Sequence, residues 1–238
     1  MVAEAPWFER AFGEDYLRVY THRDEAQAHR EIAELVRRLP ERSAGRVLDV
    51  GCGFGRHLDA WKTHNVRGLG VDLSAALLRV ARTRGSAVVR ADMRCLPFAE
   101  QSFDLVTLLF TTFGYFENSA EDARVLAEVA RVLAPAGIVA LDLAEPAYVR
   151  AHLEPRTVRM LVDVEITETR RLRGERVEKT VELRDATGTR SWQESVRLYT
   201  AEEARILLEA AGLRWHSCHG NLDVASRALR HVHLAERV

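Results

Sequence analysis

The stretch Asp49-Val50-Gly51-Cys52-Gly53-Phe54-Gly55 carries the strongest structural signal in the sequence. It ends a short β-branched run, residues 46–50, which is typical of a buried strand, and residues 56–64 after it have a helical pattern. Glycines at such a junction let the backbone turn sharply and let a ligand approach without a Cβ in the way. The stretch therefore predicts a strand–loop–helix unit whose loop contacts a ligand.

Strand and helix patterns alternate along the chain beyond this loop. Strands are expected at 68–72, 87–90, 103–109 and 137–143, and helices at 74–84 and 120–133. Such alternation predicts an α/β fold with a Rossmann-like, doubly wound sheet of seven mostly parallel strands. Right-handed crossovers then bring the carboxyl ends of the strands to one edge, where ligands bind.

The pattern changes to a period of two after Pro155. Apolar residues then alternate with mostly polar ones, first as a single run at Val158, Met160, Val162, Val164 and Ile166, and again within 177–183 and 192–198. Three antiparallel strands without intervening helices are therefore predicted as an insertion after the fifth parallel strand.

Four segments follow from these patterns. They are an N-terminal helical cap at 1–45, a ligand-binding core at 46–150, an antiparallel β insertion at 151–199, and a C-terminal helix with closing strands, 213–219 and 225–235, at 200–238. The cap has a helical pattern over residues 8–39. The insertion is interpreted as a lid or a dimer surface, since exposed strand edges fit either role.

The composition excludes several classes of protein. Among 238 residues, 34 Lys plus Arg balance 35 Asp plus Glu, so no basic excess points to nucleic acid or an anionic membrane. Three scattered cysteines without a CxxC pair predict neither a disulfide framework nor a metal site. His231 and His233 alternate on one strand, which indicates exposure rather than coordination. We expect a cytoplasmic protein without a signal peptide or a membrane partner.

The spacing of the glycines discriminates between two cofactor classes. The dinucleotide fingerprint of NAD enzymes needs a third glycine where this chain has Arg56. Here Gly51, Gly53 and Gly55 alternate behind Asp49 instead. This pattern favours S-adenosylmethionine (SAM) over NAD.

Two acidic residues at strand ends strengthen that choice. Asp72 ends the second strand, where a carboxylate accepts hydrogen bonds from ribose hydroxyls. Asp92 ends the third strand, where it can accept from the adenine amino group while Leu73 and Met93 cover the faces of the ring. Helix capping is the simpler interpretation of Asp72 alone. Taken together, the glycine loop and both acids predict SAM as the cofactor and S-adenosylhomocysteine (SAH) as its product.

The loop after the fourth strand, residues 109–116, lies where the methyl group should emerge. Its aromatic residues, Phe110 among them, can surround the cofactor sulfonium and attract it by cation–π contact. The Asp/Asn-Pro-Pro-aromatic sequence of DNA and RNA amino-methyltransferases is absent here. A nucleobase amine is therefore disfavoured as the acceptor.

Residues 47–143 resemble the class I SAM-dependent methyltransferases. Shorter segments resemble a bacterial and archaeal subgroup of small glycine/sarcosine N-methyltransferase-like enzymes, namely residues 12–17, 22–24, 55–57, 92–94, 113–116 and 197–200. In this family the N-terminal helix lies over the cofactor. The resemblance therefore implies that Tyr16, Tyr20 and Arg23 contact SAM, with Arg23 near its carboxylate, and that Gly51 and Gly53 line the methionine part. The alternative for Tyr16 and Tyr20 is core packing one helical turn apart.

The expected activity is methyl transfer from SAM to a small-molecule acceptor with an N or O nucleophile. Tyr115, Arg197 and Tyr199 are candidates for the acceptor pocket, because an arginine suits a carboxylate-bearing acceptor. No general base is assigned, and His57 is interpreted as packing or capping its helix. The alternatives are a SAM-binding regulatory module without catalysis, or an RNA or protein methyltransferase. The sequence is compatible with a monomer or a homodimer.

Overall fold

The computed structural model describes residues 5–20, 25–223, 225–226 and 229–238. Its N-terminal half contains helices α1 (Trp7–Ala11), α2 (Glu14–Val19), α3 (Glu25–Arg38), α4 (Pro40–Ser43), α5 (Arg56–Thr63), α6 (Ala75–Thr83) and α7 (Ser119–Val132), and strands β1 (Val47–Val50), β2 (Leu69–Asp72), β3 (Ala87–Arg90) and β4 (Phe103–Leu108). The remaining elements are β5 (Leu133–Ala144), α8 (Pro146–His152), β6 (Arg156–Leu161), β7 (Val164–Arg173), β8 (Arg176–Asp185), β9 (Gly188–Arg197), α9 (Ala201–Ala210), β10 (Leu213–His219) and β11 (Arg230–Arg237).

Seven strands form one twisted sheet in the order β10-β11-β5-β4-β1-β2-β3. Strands β3, β2, β1, β4 and β5 pair in parallel, whereas β11 runs antiparallel to both β5 and β10. The predicted doubly wound, mostly parallel seven-stranded sheet is therefore confirmed. The last strand begins at Arg230 rather than near Ala225, and residues 224, 227 and 228 lie outside the described residues.

Apolar side chains cover both faces of this sheet. On one face, Leu126 and Val129 of α7 and Leu208 of α9 are fully buried against the strands. On the other face, Ile32 of α3 and Trp61 of α5 are fully buried. All four residues of β1 are buried, as expected for a central strand of a parallel sheet. In the described part of the chain, no helix is long and apolar enough to span a membrane.

The insertion is a separate antiparallel sheet of four strands, β6-β7-β8-β9, and not three. The run from Val158 to Ile166 is divided by a tight turn, in which Leu161 pairs with Val164 and Val162 has a φ of 55°. This turn moves the alternation by one residue, so Met160 is 64% exposed whereas Ile166 is 1% exposed. In the sequence, every second residue stays apolar across the turn, although the side chains that are buried change from one face to the other. The run therefore resembles a single strand.

The insertion packs against the N-terminal helices. Val164 and Ile166 of β7 belong to one buried cluster with Leu77 of α6. Tyr16 of α2 and Tyr20, which caps the C-terminus of that helix, belong to the same cluster. Ion pairs connect the same elements at their rim, including Arg190 of β9 with Asp15. Helices α1 and α2 and the second sheet thus lie together over the carboxyl ends of β1 and β2.

Candidate cofactor-binding site

A cavity of about 910 Å³, including its solvent-open mouth, lies at the carboxyl edge of the parallel strands. Nine of the predicted site residues line it: Tyr16, Gly51, Gly53, Asp72, Leu73, Asp92, Met93, Phe110 and Tyr115. Phe8 and Phe12 of the N-terminal segment and Phe116 line it as well. The topology thus brings residues from five separate segments of the chain to one compartment.

The glycine loop forms the floor of this cavity with backbone atoms. Gly51, Gly53 and Gly55 have φ values of 69°, 55° and 86°, which lie in the left-handed region that favours glycine. A Cβ on Gly51 would lie 2.1 Å from Cγ2 of Thr112. The loop is fixed by two hydrogen bonds that the N–H groups of Gly51 and Cys52 donate to the Val71 carbonyl, at 2.7 and 3.1 Å. A ligand can therefore lie directly against the main chain.

Asp72 connects the glycine loop to the start of α6. Its carboxylate accepts from the N–H groups of Gly53, at 2.9 Å, and Ser74, at 2.8 Å. Burial raises the pKa of Asp72, although these backbone donors oppose the effect. Ser74 caps the helix, since its hydroxyl accepts from Leu77 N–H. Each carboxylate oxygen of Asp72 can accept a further bond, so the residue suits a pair of ribose hydroxyls.

Asp92 is held by an arginine that the sequence analysis did not single out. The Arg94 guanidinium donates to both carboxylate oxygens of Asp92 and also pairs with Glu121. Burial of the Asp92 carboxyl is outweighed by these hydrogen bonds, so its pKa is lowered. The same guanidinium lies 4.4 Å from the ring centroid of Phe116. Arg94 thus fixes both the acid and one aromatic wall of the cavity.

Phe110 adopts a left-handed backbone conformation at the carboxyl end of β4. Its φ is 57°, that of Thr111 is 60°, and non-glycine residues in this region store strain. The Phe110 N–H donates to the fully buried carboxylate of Asp142 at 2.8 Å. The guanidinium groups of Arg56 and Arg230 lie 4.1 and 5.0 Å from its ring centroid. The surrounding ionic groups therefore hold this residue at the cavity wall.

Asp49 and Gly51 fit a ligand that carries an amino-acid moiety. Asp49 is 2% exposed and accepts from the Thr107 hydroxyl at 2.9 Å, while its Oδ2 has no hydrogen-bond partner among the described residues. Burial raises the pKa of Asp49 to about 7, opposed by Thr107 and by the charge of Arg56. Gly51, two residues further on, lines the cavity with main-chain atoms, and this buried acceptor close to it in sequence fits the amino group in the methionine part of SAM.

Three predicted residues that the structure describes are not brought into this cavity. Tyr20 is buried, and its hydroxyl contacts Glu168 and Glu194 on the second sheet. Arg197 pairs with Glu175 at 2.8 Å, and Tyr199 donates its hydroxyl proton to Asp122 at 2.7 Å. None of these three belongs to the cavity lining that the described residues form. A further predicted residue, Arg23, lies outside the described residues.

Arg197 and Tyr199 lie behind the loop that carries Tyr115, because β9 pairs with the back of that loop. The Arg197 N–H donates to the Gly114 carbonyl at 2.8 Å. A residue that the sequence analysis missed, Arg176, holds the same loop. Its guanidinium donates to the carbonyls of Phe116, Gly114 and Tyr115 at 2.9, 3.2 and 3.2 Å. No local sequence motif marks Arg176, since its partners lie 60 residues away in the chain.

The ligand atoms of Cys218, His231 and His233 lie within 4.8 Å of one another. The prediction that both histidines are exposed was wrong, since they are 5% and 0% exposed. The Trp215 indole donates to Nδ1 of His233 at 3.2 Å, so Nε2 of His233 carries the proton and donates to Nδ1 of His231 at 2.7 Å. His231 in turn donates to the Tyr199 carbonyl at 3.2 Å. These hydrogen bonds account for both rings without a metal ion.

Comparison with known proteins assigns the family. A family model described as a methyltransferase domain matches residues 47–137. The cypemycin N-terminal methyltransferase of Streptomyces sp is 30% identical over 176 residues, which are 70% of this chain and 71% of that protein. The SAM-bound structure of CalS10, an amino pentose methyltransferase from Micromonospora echinaspora, is similar with a TM-score of 0.69 at 27% identity, covering 94% of this chain and 97% of that one.

The chain therefore belongs to the SAM-dependent methyltransferases, and the predictions of this family and of SAM as its cofactor are confirmed. Several matched relatives are longer. The probable tRNA methyltransferase 9B of Bos taurus is 36% identical over 100 residues, which are 42% of this chain and 21% of that protein. The chain spans between about a fifth and a half of the first curated relatives that it matches.

Proposed function

We propose that this protein transfers the methyl group of SAM to an amino group of a small molecule. The observation that carries the proposal is the aromatic roof over the cofactor cavity. The ring centroid of Tyr115 lies 5.7 Å from that of Phe12 and 5.1 Å from that of Trp7. The ring centroids of Phe8 and Phe116 are 5.3 Å apart. Such a roof leaves a compartment suited to a small acceptor. The near-neutral net charge of −1 agrees with an acceptor that is not a polyanion.

Two similar proteins support nitrogen rather than oxygen as the nucleophile. The cypemycin enzyme is an N-terminal methyltransferase, and CalS10 is an amino pentose methyltransferase, so both are associated with amine-bearing substrates. An amine needs only to lose one proton to become nucleophilic. This agrees with a cavity in which position and exclusion of water carry most of the catalysis.

The residues of the chain divide these tasks. SAM supplies an activated methyl group on a positively charged sulfur. Asp72 and Asp92 orient the nucleoside, and the backbone of the glycine loop orients the methionine part. Tyr115 lines the cavity, where its ring can stabilise positive charge between cofactor and acceptor, whereas the ring of Phe110 already faces the guanidinium groups of Arg56 and Arg230. Arg176 holds the backbone at Tyr115, so the distance of this ring from the cofactor stays fixed.

The test is a methyl-transfer assay with paired acceptors, read by mass spectrometry. Amino sugars and short peptides with free N-termini are each paired with an analogue whose amine is replaced by a hydroxyl, and bulk tRNA is added as a further acceptor. We expect methylation of at least one amine and no methylation of its hydroxyl partner. Methylation of tRNA alone would favour an RNA methyltransferase, and SAM binding without any turnover would favour a regulatory module.

A variant control separates acceptor binding from folding. Tyr115→Ala removes the ring at the cavity mouth but leaves the glycine loop and Asp72 intact. It should lower turnover about tenfold or more while SAH still binds. A cytoplasmic location and the monomeric or homodimeric state remain predictions, and sedimentation of the purified protein tests the second of these.

A further inference from the structure

His57, the second residue of α5, lines the cavity and is 5% exposed. Its Nε2 lies 2.8 Å from Oε2 of Glu31 on α3. Among the described residues, Glu31 is the hydrogen-bond partner that the ring has. The other ring nitrogen, Nδ1, is therefore available to a ligand.

The partner fixes the tautomer of this histidine. Glu31 is fully buried, and its carboxylate also accepts from Gln27, at 3.0 Å, and from the Arg230 guanidinium. Burial opposes ionisation, but hydrogen bonding and charge from His57 and Arg230 lower the pKa of Glu31 to about 2. An ionised carboxylate only accepts, so Nε2 of His57 must be the donor. Nδ1 then carries a lone pair and acts as an acceptor.

His57 is neutral at physiological pH. Burial, together with the positive charge of Arg56, lowers the pKa of His57 to about 4, and the contact with Glu31 opposes this only in part. A neutral ring with Nε2 protonated presents a hydrogen-bond acceptor at Nδ1 and no positive charge. Nδ1 can accept a hydrogen bond from an ammonium group, whose charge the ionised Glu31 behind the ring favours and Arg56 on the same cavity wall opposes.

Glu31, His57 and Arg230 form a buried network of ionisable groups. Glu31, His57 and Arg230 come from three distant parts of the chain and are all under 7% exposed. Burying such charges costs free energy that a well-packed apolar cluster of the same volume would avoid. The network holds the ring of His57 in one orientation and one tautomer.

Sheet order places His57 at one end of the cavity. Asp72 and Asp92, which suit the ribose and the adenine, follow β2 and β3 on one side of β1. The partners of His57 lie toward the other side, where Arg230 begins β11 and pairs with Asp142 of β5. The end of the cavity away from the nucleoside is where the amino-acid part of SAM would lie.

We propose that Nδ1 of His57 accepts a hydrogen bond from the α-ammonium group of the cofactor's methionine part, with Glu31 as the residue that sets its tautomer. This inference rests on the proposed function, since it requires SAM in the cavity. It assigns His57 to cofactor recognition and Glu31 to positioning. Neither residue takes a proton from the acceptor.

The experiment compares two ligands by calorimetry. SAH carries the α-ammonium group, and its deaminated analogue, which has hydrogen in place of that group, is otherwise identical. His57→Gln keeps an amide N–H where Nε2 donates to Glu31 but has no acceptor in the place of Nδ1. His152→Gln is the matched control, because His152 is exposed and its Nδ1 contacts only the Tyr148 carbonyl.

We expect His57→Gln to weaken SAH binding about tenfold or more and to leave binding of the deaminated analogue unchanged, since hydrogen bonds to charged groups carry effects of that size. Equal weakening of both ligands would show a structural role and overturn the inference, as would no weakening of either. If the unaltered protein binds neither ligand, the proposed function itself fails, which is a distinct result from failure of the variant alone.

Discussion

The geometry of the glycine loop predicts a large and specific loss of stability in Gly51→Ala. The new Cβ would lie 2.1 Å from Cγ2 of Thr112, at a residue with a φ of 69°. Thr112 is 6% exposed, and its hydroxyl donates to the Leu109 carbonyl at 2.8 Å. Rotation of its side chain away from the new methyl group would break that bond. The neighbour therefore cannot yield easily.

The expected magnitude has two parts. A left-handed backbone costs an alanine about 1–2 kcal/mol, and overpacking adds about 1–3 kcal/mol. Gly85→Ala isolates the first part, because Gly85 has a φ of 72° and nothing within 4 Å of its Cβ position. We therefore expect a loss of about 1–2 kcal/mol for Gly85→Ala and about 2–5 kcal/mol for Gly51→Ala, measured by urea unfolding.

A second substitution tests the cause directly. Thr112→Ser removes Cγ2, after which the nearest Thr112 atoms to the new Cβ are Cβ and Oγ1 at 3.2 Å. The double variant should therefore recover most of the overpacking part, which gives a coupling free energy of about 1–3 kcal/mol in a double-mutant cycle. The reasoning is refuted if Gly51→Ala loses no more stability than Gly85→Ala, or if the two substitutions at Gly51 and Thr112 are additive.

Two further predictions concern charged residues that support the loop carrying Tyr115 and the helix that follows it. Burial raises the pKa of Asp122 from 3.8 to about 6, so its stabilising contribution is present below pH 4 and lost as pH rises through 6. The unfolding free energy relative to Asp122→Asn should fall by about 2 kcal/mol between pH 4 and pH 7, and a difference that stays constant with pH would contradict this. Arg176→Lys should lower kcat/KM for the acceptor about tenfold, because a lysine cannot bind three carbonyls of the loop at once. Arg173→Lys, at an exposed turn, is its control, and equal kinetics of the two variants would be the contrary result.

Much of the fold was predictable because its signals are local. The glycine loop, the strand before it and the acid at the end of the next strand lie within about 25 residues, and each follows from turn chemistry or apolar period. The insertion shows where such signals fail. A two-residue turn at Val162 reverses the buried face without interrupting the apolar period, so the sequence resembles one long strand.

The candidate site likewise contains residues that local sequence signals predict and residues that they do not. Asp72 and Asp92 were predictable because strand ends in a parallel sheet meet at one edge. Their supporting residues were not, since Arg176 contacts carbonyls 60 to 62 residues away and Arg230 reaches Glu31 across 199 residues. The interpretation of His57 as a packing residue rested on its helix alone. Its carboxylate partner comes from α3, which only the fold brings near.

The most direct test of this account is a calorimetric titration of the purified protein with SAH and, in parallel, with NAD. The account predicts saturable binding of SAH, weakened about tenfold or more in Asp72→Asn, because that substitution replaces one carboxylate oxygen with a donor. It also predicts no comparable binding of NAD, since Arg56 stands where the dinucleotide fingerprint needs a glycine. Tighter binding of NAD, or SAH binding that does not change in the variant, would contradict the assignment of the cavity.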